Sequence, residues 1–92
     1  MQFEWDPTKD RKNRQKHVIS FAEASRVFDD PYCITFEDNR RNYHELRENT
    51  IGQIAGILIV TVSHSERAGV IRIISARPAS RHERKLYHAN HP

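Results

Sequence analysis

The sequence predicts an α+β domain: a small antiparallel sheet with N-terminal helices before it and a C-terminal helix after it, in two layers. Runs rich in β-branched residues are confined to the middle and second half of the chain, and residues 57–62 are apolar throughout. Helix-start signals lie outside this block, at Asp6-Pro7, at Ser20 with Glu23, and at Ser80 with Glu83. Helices that flank a block of strands, without alternating with them, are typical of this class.

Size and composition are consistent with one domain over residues 1–92. The formal net charge is +3, with basic residues concentrated at both ends and acidic residues in the middle. A balance of this kind favours polyanionic partners without proving them. Cys33 is the single cysteine, which excludes an intrachain disulfide, and we expect it to pack as a small apolar residue in a reducing, cytoplasmic setting. Glu4 and Asp6 interrupt any N-terminal apolar run, so we expect no signal peptide, and residues 54–62 are too few to span a membrane.

The N-terminal third predicts an edge strand and two helices. Residues 1–5 have the pattern of a short edge strand, and Asp6-Pro7 begins a helix that reaches about Lys16. That helix has almost no apolar residue and several cations, so it is either a solvated helix or a surface for a phosphate backbone or an acidic partner. His17 closes it. A second, amphipathic helix is expected from Ser20 through Phe28, and Asp29-Asp30-Pro31 ends it.

The middle of the chain predicts the sheet. We expect a strand at residues 32–36, a polar loop at 37–43, a strand at 45–52 and a turn at 53–56. Residues 57–62 are typical of a central strand that is buried on both faces. Residues 65–69 are expected to form a hairpin loop, with Gly69 at a positive φ.

The last strand and helix meet at a corner rich in arginine. Residues 70–77 predict a strand, Pro78 ends it, and Ser80 with Glu83 begins a helix at Arg81. Strict alternation puts Ile73, Ser75 and Arg77 on one face and Arg72 on the other, where we expect an acid to pair with it. An arginine in an apolar strand is costly unless it is paired or meets an anion, so the function is expected near this stretch.

The residues favour phosphate chemistry over other enzyme classes. The only closely spaced histidines are His88 and His91, and there is no zinc motif, glycine-rich phosphate loop or serine-hydrolase elbow, so we expect no metal or cofactor. Guanidinium groups bind phosphate in a bidentate manner and stay charged at any working pH. RNA cleavage without a metal needs a base for the 2′-OH, cations for the phosphorane and an acid for the 5′-oxygen. The residues that could supply these are His17, Arg67, Arg72, Arg77, Arg81, Glu83, Arg84 and Tyr87. Each also has a structural alternative: Glu83 as a cap or ion-pair partner, Tyr87 as packing.

Several spaced motifs resemble one protein family. They are Trp5-Asp6-Pro7, Asn13, Lys16-His17, residues 18–24, residues 27–31, Arg47, Gly52, residues 71–79, Glu83-Arg84 and Tyr87. Together, and in this order over nearly the whole chain, they resemble the BrnT-type toxins of bacterial type II toxin–antitoxin modules. One position departs from the family pattern, because Val18 stands where a glycine usually follows Lys-His.

The resemblance implies a RelE-like ribonuclease fold and RNA cleavage that inhibits translation and growth. It also implies a partner, an antitoxin with a DNA-binding domain, and a complex that represses its own operon. The catalytic residues carried over from matched positions are His17, Arg67, Arg77, Glu83 and Tyr87. We expect RNA contacts from Lys16, Arg72, Arg81 and Arg84, and antitoxin contacts from Arg11, Lys12 and Arg14.

Two further classes stay open from the sequence. The same basic face fits a non-catalytic module that binds RNA or DNA, and the basic helix fits a protein that only docks an acidic partner. A neighbouring short reading frame with a DNA-binding motif would favour the toxin.

Overall fold

The computed structural model describes residues 1–38 and 46–90. The expected loop at 37–43 and the start of the strand expected at 45 fall largely outside these ranges, as does His91. The described strands are β1 (Gln2–Trp5), β2 (Ile34–Glu37), β3 (Glu48–Ile54), β4 (Leu58–Arg67) and β5 (Val70–Pro78). The helices are α1 (Pro7–His17), α2 (Phe21–Ala24), which continues as a 3-10 helix (Ser25–Asp29), and α3 (Arg81–Ala89). None of the helices in these ranges is long and apolar enough to cross a membrane.

The strands form one five-stranded sheet in the order β1-β5-β4-β3-β2. Three neighbouring pairs are antiparallel, as the sequence predicts, but β1 pairs with β5 in parallel. The mixed α+β class is therefore confirmed, with β1 as the exception to an antiparallel sheet. A parallel partner is possible here because α1, α2 and three strands separate β1 from β5 along the chain.

A β-bulge divides β5 into two halves. Ser63 faces Ser75 and His64 faces Ile73, so Ile74 has no partner on β4. The extra residue shifts the side-chain alternation by one position, and Ile73 and Ala76 consequently lie in the same buried cluster. The predicted assignment of faces is therefore wrong: Arg72 precedes Ile73 and Arg77 follows Ala76, so both arginines project from the opposite face.

The first face of the sheet is covered by α2 and the 3-10 helix, while α1 meets β5 through Asn13. Its core consists of Ile19, Phe21, Ala24, Val27, Ile54, Val60, Val62, Ile73 and Ala76, with Phe3, Trp5 and Phe28 packed against it. We call this the covered face. Gly52 allows the 3-10 helix to approach, because a Cβ at this position would lie 2.8 Å from the Cβ of Val27 and 2.9 Å from its carbonyl oxygen.

The second face, which we call the α3 face, is covered only in part. A smaller cluster places Tyr87 of α3 on Ile51, Ile59 and Ala79, with Ile34 beside it. Elsewhere this face is polar: the Ser63 hydroxyl donates to Asn49 Oδ1 over 2.6 Å, and Thr61 lies next to the N-terminus of α3. A polar sheet face beside a short helix is where a charged ligand could lie.

The predicted helix starts are confirmed. Thr8 N donates to Asp6 Oδ1 at the start of α1, and reciprocal capping boxes join Ser20 to Glu23 and Ser80 to Glu83. At the end of α1, Val18 adopts the left-handed conformation (φ 59°, ψ 23°) that usually favours glycine. The valine therefore keeps the backbone path of a glycine cap, at a steric cost of about 1–2 kcal/mol.

Two details of the β4 region differ from the sequence-based expectation. Strand β4 extends through Ser65, Glu66 and Arg67, so the hairpin loop shrinks to Ala68-Gly69, both at positive φ. Ile57 lies before β4 and is exposed, although an uninterrupted apolar run predicted a buried strand. Pairing with β5 extends the polar end of β4, which intrinsic strand preference alone does not predict.

Candidate active site

The centre of the α3 face is a two-point ion pair between Arg77 and Glu83. Arg77 Nη1 donates to Glu83 Oε1 over 2.6 Å, and Arg77 Nη2 donates to Oε2 over 2.9 Å. Arg77 is the penultimate residue of β5 and Glu83 lies in the first turn of α3, so the Pro78–Ser80 corner brings them together. A bidentate pair fixes the plane of the guanidinium group, while the Arg77 side chain remains 39% exposed.

The Glu83 carboxylate accepts hydrogen bonds from three residues. Besides the two bonds from Arg77, Ser80 N and Thr61 Oγ1 donate to Oε1 over 2.8 Å and 3.0 Å. Burial alone would raise the pKa of Glu83, but the hydrogen bonds from Arg77, Ser80 and Thr61 and the charge of Arg77 lower it to about 2. Such a carboxylate is a weak base near neutral pH, so the geometry suits it to orienting Arg77.

The other corner arginines differ in their placement. Arg84 Nη1 donates to the carbonyl oxygen of Ala79 over 2.9 Å, which fixes this side chain at the corner. Arg81 is the first residue of α3 and is exposed. Arg84 is therefore held at the corner between β5 and α3, and no hydrogen bond or ion pair in the described ranges holds Arg81 there.

Tyr87 is buried, with 1% of its surface exposed, and its hydroxyl donates to Asp30 Oδ2 over 2.6 Å. Asp30 also accepts from the backbone N–H groups of Gln53 and Tyr32, so it links α3 to β3 and to the end of the 3-10 helix. Burial, together with the hydrogen bond and charge of Asp30, raises the pKa of Tyr87 to about 12. This position suits a residue that anchors α3, one turn after Glu83.

His17 lies at the C-terminal end of α1 and is half-buried. One helical turn earlier, Asn13 accepts from Ala76 N over 3.1 Å and donates to the carbonyl oxygen of Ile19, so this side of α1 faces the end of β5. Residues four apart share a helix side, which places His17 on the side that faces β5. No hydrogen bond or ion pair between described residues joins His17 to Glu83. Lys16, next to it, is exposed.

Arg67 and Arg72 lie together at the other end of the α3 face. With Glu4 and Ser65 they line a cleft of about 220 Å³. Arg72 Nη1 lies 3.6 Å from Glu4 Oε1, and both side chains are about half exposed. The sequence correctly predicts an acidic partner for Arg72, but the pair lies on the same face as Arg77 and is not buried. Arg77 lies five positions after Arg72, a distance of roughly 15 Å along a strand.

The three cations expected to contact an antitoxin, Arg11, Lys12 and Arg14, are exposed on α1. Arg14 lies 3.9 Å from Asp10, and the Asp10 carboxylate also accepts from the backbone N–H of Phe21. Because α1 has a single acidic residue, its solvent side is strongly basic.

Sequence reasoning missed four residues of this architecture: Asn13 as the link to β5, Asp30 as the anchor of Tyr87, Thr61 as a donor to Glu83, and His64. His64 is buried on the covered face. Its Nε2 lies 2.7 Å from Thr50 Oγ1, and its ring meets Phe28 edge-on. Burial lowers the pKa of His64 to about 4. Its neighbours in the sequence, Ser63 and Ser65, are polar and give no signal that it is buried. Within residues 1–38 and 46–90, no three His, Cys, Asp or Glu side chains form a group that could hold a metal ion.

Comparisons with known proteins agree on one family. Residues 5–83 match the model of the ribonuclease toxin BrnT of type II toxin–antitoxin systems. Among solved structures, the chain is similar to the ribonuclease toxin BrnT of Brucella abortus, at 25% identity and a TM-score of 0.68, over 88% of this chain and 99% of that one. No curated protein matches the chain. The family model runs from the last residue of β1 to the Arg77–Glu83 corner, and the chain belongs to the BrnT family of ribonuclease toxins.

Proposed function

We propose that this chain is an endoribonuclease that uses the 2′-OH of its RNA substrate as nucleophile and needs no metal ion. The observation that supports this most strongly is the Arg77–Glu83 pair, which holds a partly exposed guanidinium in a fixed orientation on a polar sheet face. A guanidinium has five N–H donors, of which the carboxylate takes two. A preorganised cation of this kind can stabilise the charge that develops on a phosphorane without a metal.

In the proposed reaction, the 2′-oxygen bonds to the adjacent phosphorus and the bond from phosphorus to the 5′-oxygen breaks. A base takes the proton of the 2′-OH, and an acid delivers a proton to the leaving 5′-oxygen. The products are one strand that ends in a 2′,3′-cyclic phosphate and one with a free 5′-OH. His17 is the candidate for proton transfer, because an imidazole nitrogen can accept or donate a proton and this residue lies on the side of α1 that faces β5.

Glu83 and Tyr87 are assigned indirect roles in this mechanism. Glu83 orients Arg77, since its carboxylate is ionised and engaged by Arg77, Ser80 and Thr61. Tyr87 holds α3, and therefore Glu83, against the sheet through Asp30. We assign contacts with the RNA backbone to Arg84, Arg81 and Lys16, of which Arg81 and Lys16 are exposed and Arg84 is held at the corner by its bond to Ala79.

The decisive experiment incubates the purified chain with a mixed-sequence RNA in EDTA and analyses the ends of the products. We expect cleavage to persist and the new ends to be 2′,3′-cyclic phosphate or 3′-phosphate. The Arg77→Ala variant is the matched control for a contaminating nuclease and should be inactive. Activity that EDTA abolishes and magnesium restores would overturn the metal-free mechanism. RNA that is bound but never cleaved, in vitro and during expression in bacteria, would instead favour a non-catalytic binding module.

We also propose that an antitoxin with a DNA-binding domain neutralises the chain, that the complex represses its own operon, and that the exposed cations of α1 contact the antitoxin. The basic surface of α1 supports this, because a strong charge of one sign accelerates association with an oppositely charged partner. Reversing the charges of Arg11, Lys12 and Arg14 should slow association with the co-encoded antitoxin at low salt and leave dissociation nearly unchanged. An association rate that does not change would exclude α1 from that interface.

A further inference from the structure

The cleft lined by Glu4, Ser65, Arg67 and Arg72 lies on the same sheet face as Arg77 but outside the Arg77–Glu83 pair. We infer that this cleft is a second phosphate-binding subsite, which holds a phosphodiester of the RNA strand some nucleotides away from the bond that is cut. The inference rests on the proposed function and adds to it a second point at which the protein contacts the RNA strand.

Because of the bulge, this cleft lies on the α3 face together with Arg77. In a regular strand, residues five positions apart project from opposite faces, so one RNA strand could not contact both Arg72 and Arg77; the unpaired Ile74 brings the two arginines onto one face. With the bulge, Arg72 and Arg77 project from one face, roughly 15 Å apart along β5. A single strand that lies along β5 can therefore place one phosphate at Arg77 and another at the cleft.

The chemistry of the cleft suits a phosphate group. The guanidinium groups of Arg67 and Arg72 and the hydroxyl of Ser65 can each donate hydrogen bonds to an anion. Arg67 has no ion pair among the described residues. The tight Ala68-Gly69 turn fixes Arg67 at the end of β4, opposite Val70. Among the described residues that line the cleft, Glu4 is the only acid. Its 3.6 Å contact with Arg72 is long and exposed, so a phosphate can replace it at little cost.

The test measures binding of a fluorescent, fully 2′-O-methylated single-stranded RNA, which has no free 2′-OH and cannot be cut by the proposed reaction. For the unmodified chain, log K should fall with log salt, and the Arg67→Gln/Arg72→Gln double variant should reduce this slope by roughly 0.7, which corresponds to one lost phosphate contact. The affinity should fall about tenfold. Arg26→Gln, an exposed arginine on the 3-10 helix of the covered side, is the matched control and should change neither quantity.

A second measurement locates the contact. One RNA linkage at a time is made neutral as a methylphosphonate. At a single linkage, some nucleotides away from the one bound at Arg77, the neutral group should weaken binding to the unmodified chain about tenfold. The same modification should have little further effect in the double variant. Glu4→Gln should do the opposite of the arginine changes and tighten binding by about two- to fivefold, because it removes the competing carboxylate. This variant also keeps the test valid if the double variant does not fold.

The results separate the two proposals. If the double variant binds this RNA with unchanged affinity and salt slope, the subsite is refuted, while cleavage of natural RNA by the unmodified chain would leave the proposed function intact. A double variant that keeps its RNA affinity but loses its antitoxin refutes the subsite as well and assigns the cleft to a protein. If the unmodified chain neither binds nor cuts RNA, the proposed function itself fails.

Discussion

The Arg77 guanidinium and the Glu83 carboxylate share two hydrogen bonds of 2.6 Å and 2.9 Å across the corner that joins β5 to α3. This geometry requires the planar fork of arginine, because an ammonium group is a point charge that cannot hold both carboxylate oxygens and keep the same orientation. The pair therefore requires an arginine at position 77.

Arg77→Lys should fold but lose activity. We expect the turnover number on RNA to fall about a hundredfold or more, equivalent to about 3–4 kcal/mol of transition-state stabilisation, with a modest change in melting temperature. Arg72→Lys is the matched comparison, since its pair with Glu4 is exposed and contributes less than about 1 kcal/mol to stability. Steady-state kinetics and thermal melting of both variants decide this. Equal losses of turnover in the two variants would show that Arg77 has no special role.

Tyr87→Phe should affect stability more than chemistry. Loss of the hydrogen bond to Asp30 should reduce the free energy of unfolding by about 1–3 kcal/mol. Asp30→Asn weakens the same contact and should give a similar loss. Removal of a general acid typically costs about 10²–10⁴ in rate. A fall of this size in Tyr87→Phe, together with a shifted pH–rate profile in a fully folded protein, would give the hydroxyl a direct chemical role.

Stability should decrease as the pH falls from about 6.5 towards 4, because burial lowers the pKa of His64. The folded state lowers the pKa of His64 from 6.5 to about 4, so the unfolded chain takes up a proton first as the pH falls. The stabilisation is complete above about pH 6.5 and is lost progressively down to about pH 4, in total up to about 3 kcal/mol. Glu83 adds a second loss only below about pH 4.5, because its pKa is lowered to about 2.

Urea unfolding at several pH values between about 7 and 4.5 measures this effect. A His64→Gln variant, which cannot titrate, should show a much flatter dependence in that interval. His82→Gln, at an exposed position of α3, should keep the slope of the unmodified chain. If the unmodified chain is equally stable at both ends of the interval, the environment of His64 is not as described.

Val18→Gly should stabilise the protein. Val18 is 86% exposed and lies in the left-handed region, so glycine removes steric strain and sacrifices almost no packing. We expect a gain of about 1 kcal/mol, smaller than the full strain because glycine also increases the freedom of the unfolded chain. Val18→Ala retains the Cβ and should gain little, which makes it the control in the same unfolding experiment. A stability below that of the unmodified chain would contradict the strain argument.

The sequence predicts those features that depend on neighbouring residues. Asp6-Pro7, Ser20 with Glu23 and Ser80 with Glu83 are local signals, and all three helices begin where these signals place them. The bond from Tyr87 to Asp30 joins residues 57 positions apart, so no spacing rule predicts it. Likewise, the single extra residue at Ile74 cannot be recognised from hydrophobic alternation, and for that reason strict alternation wrongly puts Arg77 on the face of Ile73, opposite Arg72. The functional roles of all the predicted site residues stay predictions.

The bulge also matters for how relatives of this chain are aligned. Strand β5 has two phases, one set by Ile71 and Ile73 and the other by Ala76, and Ile74 is the point where they join. A relative that lacks one residue here would need a gap within the strand for its arginines to correspond to Arg72 and Arg77. An ungapped alignment would match residues of opposite faces over half of the strand. Whether arginine then appeared conserved at positions 72 and 77 would depend on the alignment register and not on the function of the side chain.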